Sequence, residues 1–91
     1  MVAVRAAGPN PFAGRARLAL TLPEPRAVDV TVYAIDGRRV QTLARGMQPA
    51  GRSAIDWDGL DERGAPAGPG VYFIRLAAGS ESSVLRVVKL E

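Results

Sequence analysis

Val28-Asp29-Val30-Thr31-Val32-Tyr33-Ala34-Ile35-Asp36-Gly37-Arg38-Arg39-Val40-Gln41-Thr42-Leu43 is the stretch that decides the fold. Valines at 28, 30 and 32, separated by Asp29 and Thr31, repeat with period two, as in a strand with one buried face. β-Branched residues suit that pleated surface. Tyr33 and Ile35 are apolar on the opposite parity, so the far end of the strand is either covered on both faces or bulged. Asp36-Gly37 then signals a hairpin, with a type I′ turn expected because that turn needs positive φ at both central positions. Val40, Leu43, Ala44 and Met47 also fit a helical spacing. Gly46 and Pro49 would cut such a helix to about two turns, too short to be stable alone, so the segment reads as the returning strand.

The same period continues in both directions. Upstream, Ala16, Leu18, Leu20 and Leu22 alternate with Arg17, Ala19 and Thr21 until Pro23-Glu24-Pro25 ends the strand. Downstream, Pro49-Ala50-Gly51 turns the chain into a strand whose inward parity is Ser53, Ile55 and Trp57. A loop from Asp58 to Gly70, rich in glycine, proline and acid, is long enough to cross between two sheets. Val71-Tyr72-Phe73-Ile74-Arg75-Leu76 reads as a central strand, and Ala77-Ala78-Gly79-Ser80 turns it into a last strand running from Ser82 to Leu90. Six or seven short strands without a credible helix predict an all-β, antiparallel β-sandwich. Residues 1–14, with Asn10-Pro11-Phe12-Ala13-Gly14, read as a linker leading into the domain, and residues 15–91 as one sandwich domain.

Composition agrees and narrows the chemistry. In 91 residues, ten glycines and seven prolines are too many breakers for a helical bundle. A chain this short closes one modest core. It has no cysteine and no histidine, which removes thiol nucleophiles, the commonest acid–base side chain and the usual zinc ligands. Residues 1–7 are too short for the apolar core of a signal peptide, so the chain is expected to stay inside the cell or to be a piece of something longer.

Candidate sites follow from what remains. Ser53, Ser80, Ser82 and Ser83 lack a spaced base, since the one lysine, Lys89, lies at the far end. No deep cleft is expected in so small a sandwich to split the pKa values of a carboxylate pair drawn from Asp56, Asp58, Asp61 and Glu62. Asp56, Asp58 and Asp61 also alternate around Gly59 as in a calcium loop, but without a bidentate twelfth ligand, and Asp-Gly pairs ordinarily mark turns. Trp57 and Tyr72 raise carbohydrate stacking against the alternative of a buried tryptophan between sheets. Net charge is +3, and every cation but Lys89 is arginine, scattered over all predicted elements with few aromatics between them. The chain therefore reads as non-catalytic, with no cofactor, no metal and no nucleic acid, and as a monomer that works through protein contacts.

Asn10-Pro11-Phe12, Val30-Thr31-Val32-Tyr33-Ala34-Ile35-Asp36-Gly37-Arg38-Arg39-Val40, Trp57-Asp58-Gly59-Leu60-Asp61-Glu62-Arg63-Gly64 and Gly70-Val71-Tyr72-Phe73-Ile74-Arg75-Leu76 together resemble the FlgD-type immunoglobulin-like domain. That pattern overlaps with the type A C-terminal sorting domain of the type IX secretion system. The resemblance runs from Asn10 to Leu90, with Asn10, Pro11, Asp36, Gly37, Trp57, Gly70 and Tyr72 as its structural marks. It implies an all-β, antiparallel immunoglobulin-like β-sandwich of about seven strands, standing as a module at the end of a large exported protein of a Gram-negative bacterium. Such a module is read by outer-membrane machinery, and the cargo is released or anchored to surface lipopolysaccharide, so contact with the membrane surface is indirect. The closing pattern of that family, a basic residue followed by an apolar strand, falls on Arg86-Val87-Val88-Lys89-Leu90, with Arg86 in place of the usual lysine and Lys89 where apolar residues are common. An exposed last strand can be recognised by β-addition at its backbone edge, so Val84, Arg86, Val87, Val88, Lys89 and Leu90 are expected to be the residues read by that machinery. The flagellar members of the family imply instead a structural part of a hook-capping scaffold.

Overall fold

The computed structural model describes all of Met1–Glu91. Its strands are β1 (Ala3–Ala6), β2 (Ala16–Leu22), β3 (Arg26–Ala34), β4 (Arg39–Gln48), β5 (Gly51–Trp57), β6 (Gly70–Ala78) and β7 (Glu81–Lys89). They pair antiparallel into a three-stranded sheet, β1-β2-β5, and a four-stranded sheet, β4-β3-β6-β7. The two sheets face each other as an immunoglobulin-like sandwich, and the β5–β6 loop carries the chain between them.

Inward residues meet as the alternation requires. Leu18 and Leu20 of β2, Val30 and Val32 of β3, Ile74 and Leu76 of β6 and Val87 of β7 are all sealed from solvent. Each such side chain contributes about 1.5–3 kcal/mol. Trp57 ends β5 at the centre of one end of the core, with Phe12 and Tyr72 edge-on at ring-centroid distances of 5.7 and 5.0 Å. Its indole Nε1 donates to the Leu60 carbonyl at 2.9 Å.

Three expectations are corrected. Residues 1–14 are not a linker: Ala3–Ala6 pair with Leu18–Thr21, and Val2, Val4 and Phe12 belong to the core. Two alternating valines are too short a pattern to show this locally, and only the open edge of β2 makes them a strand. The β3–β4 turn is not type I′, because no residue other than glycine has positive φ. The Gly37 N–H donates to the Ala34 carbonyl at 2.9 Å and Gly37 has φ 87°, which gives a three-residue loop with a bulge glycine. Asp36 Oδ1 accepts the Arg38 N–H at 3.0 Å and holds that turn. Ile35 lies at its tip and is 74% exposed, so the covered-face alternative fails there.

The bulges lie on the partner strand instead. Register shifts between Val30/Thr31 and Val32/Tyr33 leave Leu43 and Val40 of β4 as extra residues. Each bulge resets the alternation, so a strand acquires the three- and four-residue apolar spacing of a helix.

Two ion pairs brace the four-stranded sheet. Arg26 at the start of β3 bonds the Glu81 carboxylate and donates to the Ala78 carbonyl at 2.8 Å, fastening the β6–β7 hairpin. Asp29 accepts from the Thr31 hydroxyl and from Arg45, at 3.1 Å to Nη2. The Thr31 hydrogen bond first, then Arg45, holds Asp29 below its ordinary value, and Arg26 does the same for Glu81. A depressed carboxylate confers stability that is complete above its unfolded pKa and is lost as pH falls through its folded one. Resistance to urea will therefore decline as pH drops below the ordinary values of 3.8 and 4.5. Asp29→Asn will be less stable than the parent at neutral pH, and the two will converge in acid; a constant gap across the titration would contradict this.

Candidate interaction surface on the last strand

β7 is an edge strand, and alternation sorts its residues. Val84, Arg86 and Leu90 are exposed and Val88 is half-buried, whereas Val87 and Lys89 are buried. Of the six residues marked as a contact set, Val87 and Lys89 thus belong to the interior. The Lys89 stem passes Gly59 and its ammonium donates to the Glu91 carbonyl. A Cβ at Gly59 would sit 2.8 Å from the Gly14 carbonyl and 3.0 Å from Lys89 Cε, and φ there is 80°, so this position takes only glycine.

Half of the outer backbone edge of β7 is already occupied. The Asn10 side chain donates to the Arg86 carbonyl and accepts from the Val88 N–H, both at 3.0 Å. Phe12 N–H donates to the Val88 carbonyl and Leu90 N–H to the Phe12 carbonyl, each at 2.9 Å. An incoming strand would have to displace this clasp to pair with residues 86–90. Asn10→Ala removes two of the four bonds, and a destabilisation of about 1–2 kcal/mol is expected. Amide exchange at Val88 should accelerate; unchanged exchange there would show that the clasp contributes nothing.

The remaining family marks are structural. The Asn10–Pro11 bond is cis. Tyr72 donates its hydroxyl to the Gly68 carbonyl at 2.6 Å, and Gly70 opens β6 with φ 143°. Trp57 is fully buried, so it offers no face to a sugar ring. The acids of the β5–β6 loop serve its backbone: Asp58 Oδ1 accepts the Leu60 N–H, and Asp61 Oδ1 accepts those of Arg63 and Ala65. Asp56 lies 3.6 Å from Arg15. These three carboxylates do not converge on a common point where a cation would sit.

Tyr33 stood out in the sequence as apolar on the outward parity, but its pairing with Phe73 was not anticipated. Phe12, Trp57 and Tyr72 fill the core, while the other two aromatics face outward, opposite one another across β3 and β6. The signal was present in the parity, since Val71 and Phe73 alternate with the buried Tyr72, Ile74 and Leu76.

This arrangement has known counterparts. The sequence model of the FlgD Ig-like domain matches residues 6–82. The chain belongs to the FlgD immunoglobulin-like domain family. The family match ends within the first part of β7, before Val84. FlgD of P. aeruginosa is similar in structure, with a TM-score of 0.61 and 28% identity, over 81% of this chain and 58% of that one. PorZ, an essential bacterial surface component of the type IX secretion system of Porphyromonas gingivalis, shares the fold at TM-score 0.62 and 17% identity, over 99% of this chain and 11% of that one. This FlgD-like domain thus spans less than two thirds of either neighbour. No curated protein sequence matches it.

Proposed function

We propose that this FlgD-like domain is a non-catalytic sorting or attachment module of a larger exported protein of a Gram-negative bacterium. It directs that protein through the type IX secretion system to the cell surface or medium. It acts as a monomer by protein contact, needs no cofactor, binds no nucleic acid and meets the membrane surface only indirectly. The observation that carries the reading is the outward row of β7, where Val84, Arg86 and Val88 stand on a strand whose other row buries Val87 and Lys89. Such a strand presents fixed side chains without ordering cost, which suits recognition by a receptor.

The test is to join the domain to the end of a reporter that carries its own signal peptide, in a bacterium with a type IX system. Surface or released reporter is expected. Reporter that stays in the periplasm, as with the signal peptide alone, would end this reading. Similarity to P. aeruginosa FlgD favours a second one, a structural module of a flagellar hook-capping scaffold. Under that reading the domain would replace the immunoglobulin-like part of a hook cap and restore motility.

A further inference from the structure

The two outer faces of the sandwich differ in kind. On the three-stranded sheet the outward residues of β2 and β5 are Arg17, Ala19, Thr21, Arg52, Ala54 and Asp56, small or polar throughout. On the four-stranded sheet, Tyr33 of β3 lies opposite Phe73 of β6, and Phe73 opposite Arg86 of β7. In the adjoining row Arg75 lies opposite Val84, and beyond Phe73 on the other side Val88 continues the apolar surface. Val84 is 58% exposed, and Tyr33, Phe73 and Val88 are half-buried.

What sets this face apart is that cations stand beside apolar surface, whereas Arg5, Arg17 and Arg52 of the opposite sheet, also outside any ion pair, have only small or polar neighbours on their face. The ion pairs of the molecule engage Arg15, Arg26, Arg39 and Arg45, and none includes Arg75 or Arg86. The face's own acid, Asp29, is held by Thr31 and Arg45. Two guanidiniums outside any ion pair thus flank an aromatic pair on the outer face of the sheet. Tyrosine and arginine are the side chains that dominate binding energy at interfaces, and a guanidinium takes a carboxylate through two parallel bonds.

We infer that the outer face of the four-stranded sheet, centred on Tyr33, Phe73 and Arg75, docks a protein segment that combines aromatic or aliphatic side chains with carboxylates. This deepens the reading of the domain as a protein-docking module and rests on it for its biological setting, but the surface itself is tested without export. Phe73 and Tyr33 supply the apolar contact, and Arg75 and Arg86 the charge that selects an acidic partner. Docking on the side chains of this face leaves the β7 backbone edge, which the Asn10 clasp occupies in part, undisturbed.

The test uses the 91-residue domain and a displayed library of random dodecapeptides. Selection against the parent, with R75E/R86E as counter-selection, should enrich peptides that place Asp or Glu beside aromatic residues. Binding of an enriched peptide should weaken about tenfold or more in R75E/R86E and hold in R5E/R52E, which reverses charge on the opposite sheet. Both pairs are exposed, and circular dichroism will show whether each variant is folded. Amide and side-chain shifts on peptide addition should centre on Tyr33, Phe73, Arg75 and Val84. Enrichment without acids, equal binding by the two double variants, or shifts centred on the β1–β7 seam or the β5–β6 loop would overturn the proposal. So would concentration-dependent dimerisation abolished by R75E/R86E, which would give the face to a second copy of the chain. A reporter that fails to be exported while peptides still bind this face would remove the sorting role and leave the surface standing.

Discussion

A chain lacking residues 1–14 will not fold cooperatively. The deletion takes Val2, Val4 and Phe12 out of the core, where each is at most 4% exposed. At about 1.5–3 kcal/mol for each large apolar side chain, the loss is on the order of 5–9 kcal/mol, an upper estimate because the unfolded chain already buries some surface. A small domain has only about 5–15 kcal/mol in total. The deletion also strips the outer edge of β2 and opens the clasp on β7. Thermal denaturation by circular dichroism and the dispersion of an amide NMR spectrum will show it. A truncated domain melting within about 5 °C of the parent would return the segment to the status of a linker, since about 1 kcal/mol already moves the midpoint by that much.

Trp57→Ala should be nearly as severe. The residue has no exposed surface, is the largest buried side chain, and packs edge-on against both Phe12 and Tyr72. Truncating a buried tryptophan costs about 3–5 kcal/mol, and it also leaves the Leu60 carbonyl without its donor at the base of the β5–β6 loop. Trp57→Phe keeps part of the ring contact and loses the hydrogen bond, so an intermediate loss of about 1–3 kcal/mol is expected. Urea unfolding followed in the far ultraviolet reports all three proteins alike. A loss below about 1 kcal/mol for the alanine variant would mean that Trp57 is not the centre of the core.

How much of this was legible depends on how local each cause is. β2 was readable because Ala16, Leu18, Leu20 and Leu22 alternate without interruption and all four are buried. β6 was readable as a central strand because apolar residues occupy both parities from Val71 to Ile74. The same run hid its meaning, since a doubly apolar strand in a two-layer sandwich has one apolar face left over, and that face holds the half-buried pair of Tyr33 and Phe73. β4 looked ambiguous because its two bulges break the period that would have named it. Lys89 was expected among the contact residues of the last strand, yet the parity of β7 turns it inward past a glycine that leaves room for its stem.

By itself the sequence determined the number and kind of elements from Ala16 onward, their hairpins and the buried tryptophan. Period-two burial and turn chemistry act over a few neighbouring residues, so they are written in residue order. Only the tertiary structure decided that the first residues close a sheet, that Asn10 holds a strand 76 and 78 positions away, and which part of the last strand remains open. Those outcomes depend on which edge is left unpaired once two sheets have stacked, and an unpaired edge has no signature in the segment that comes to cover it.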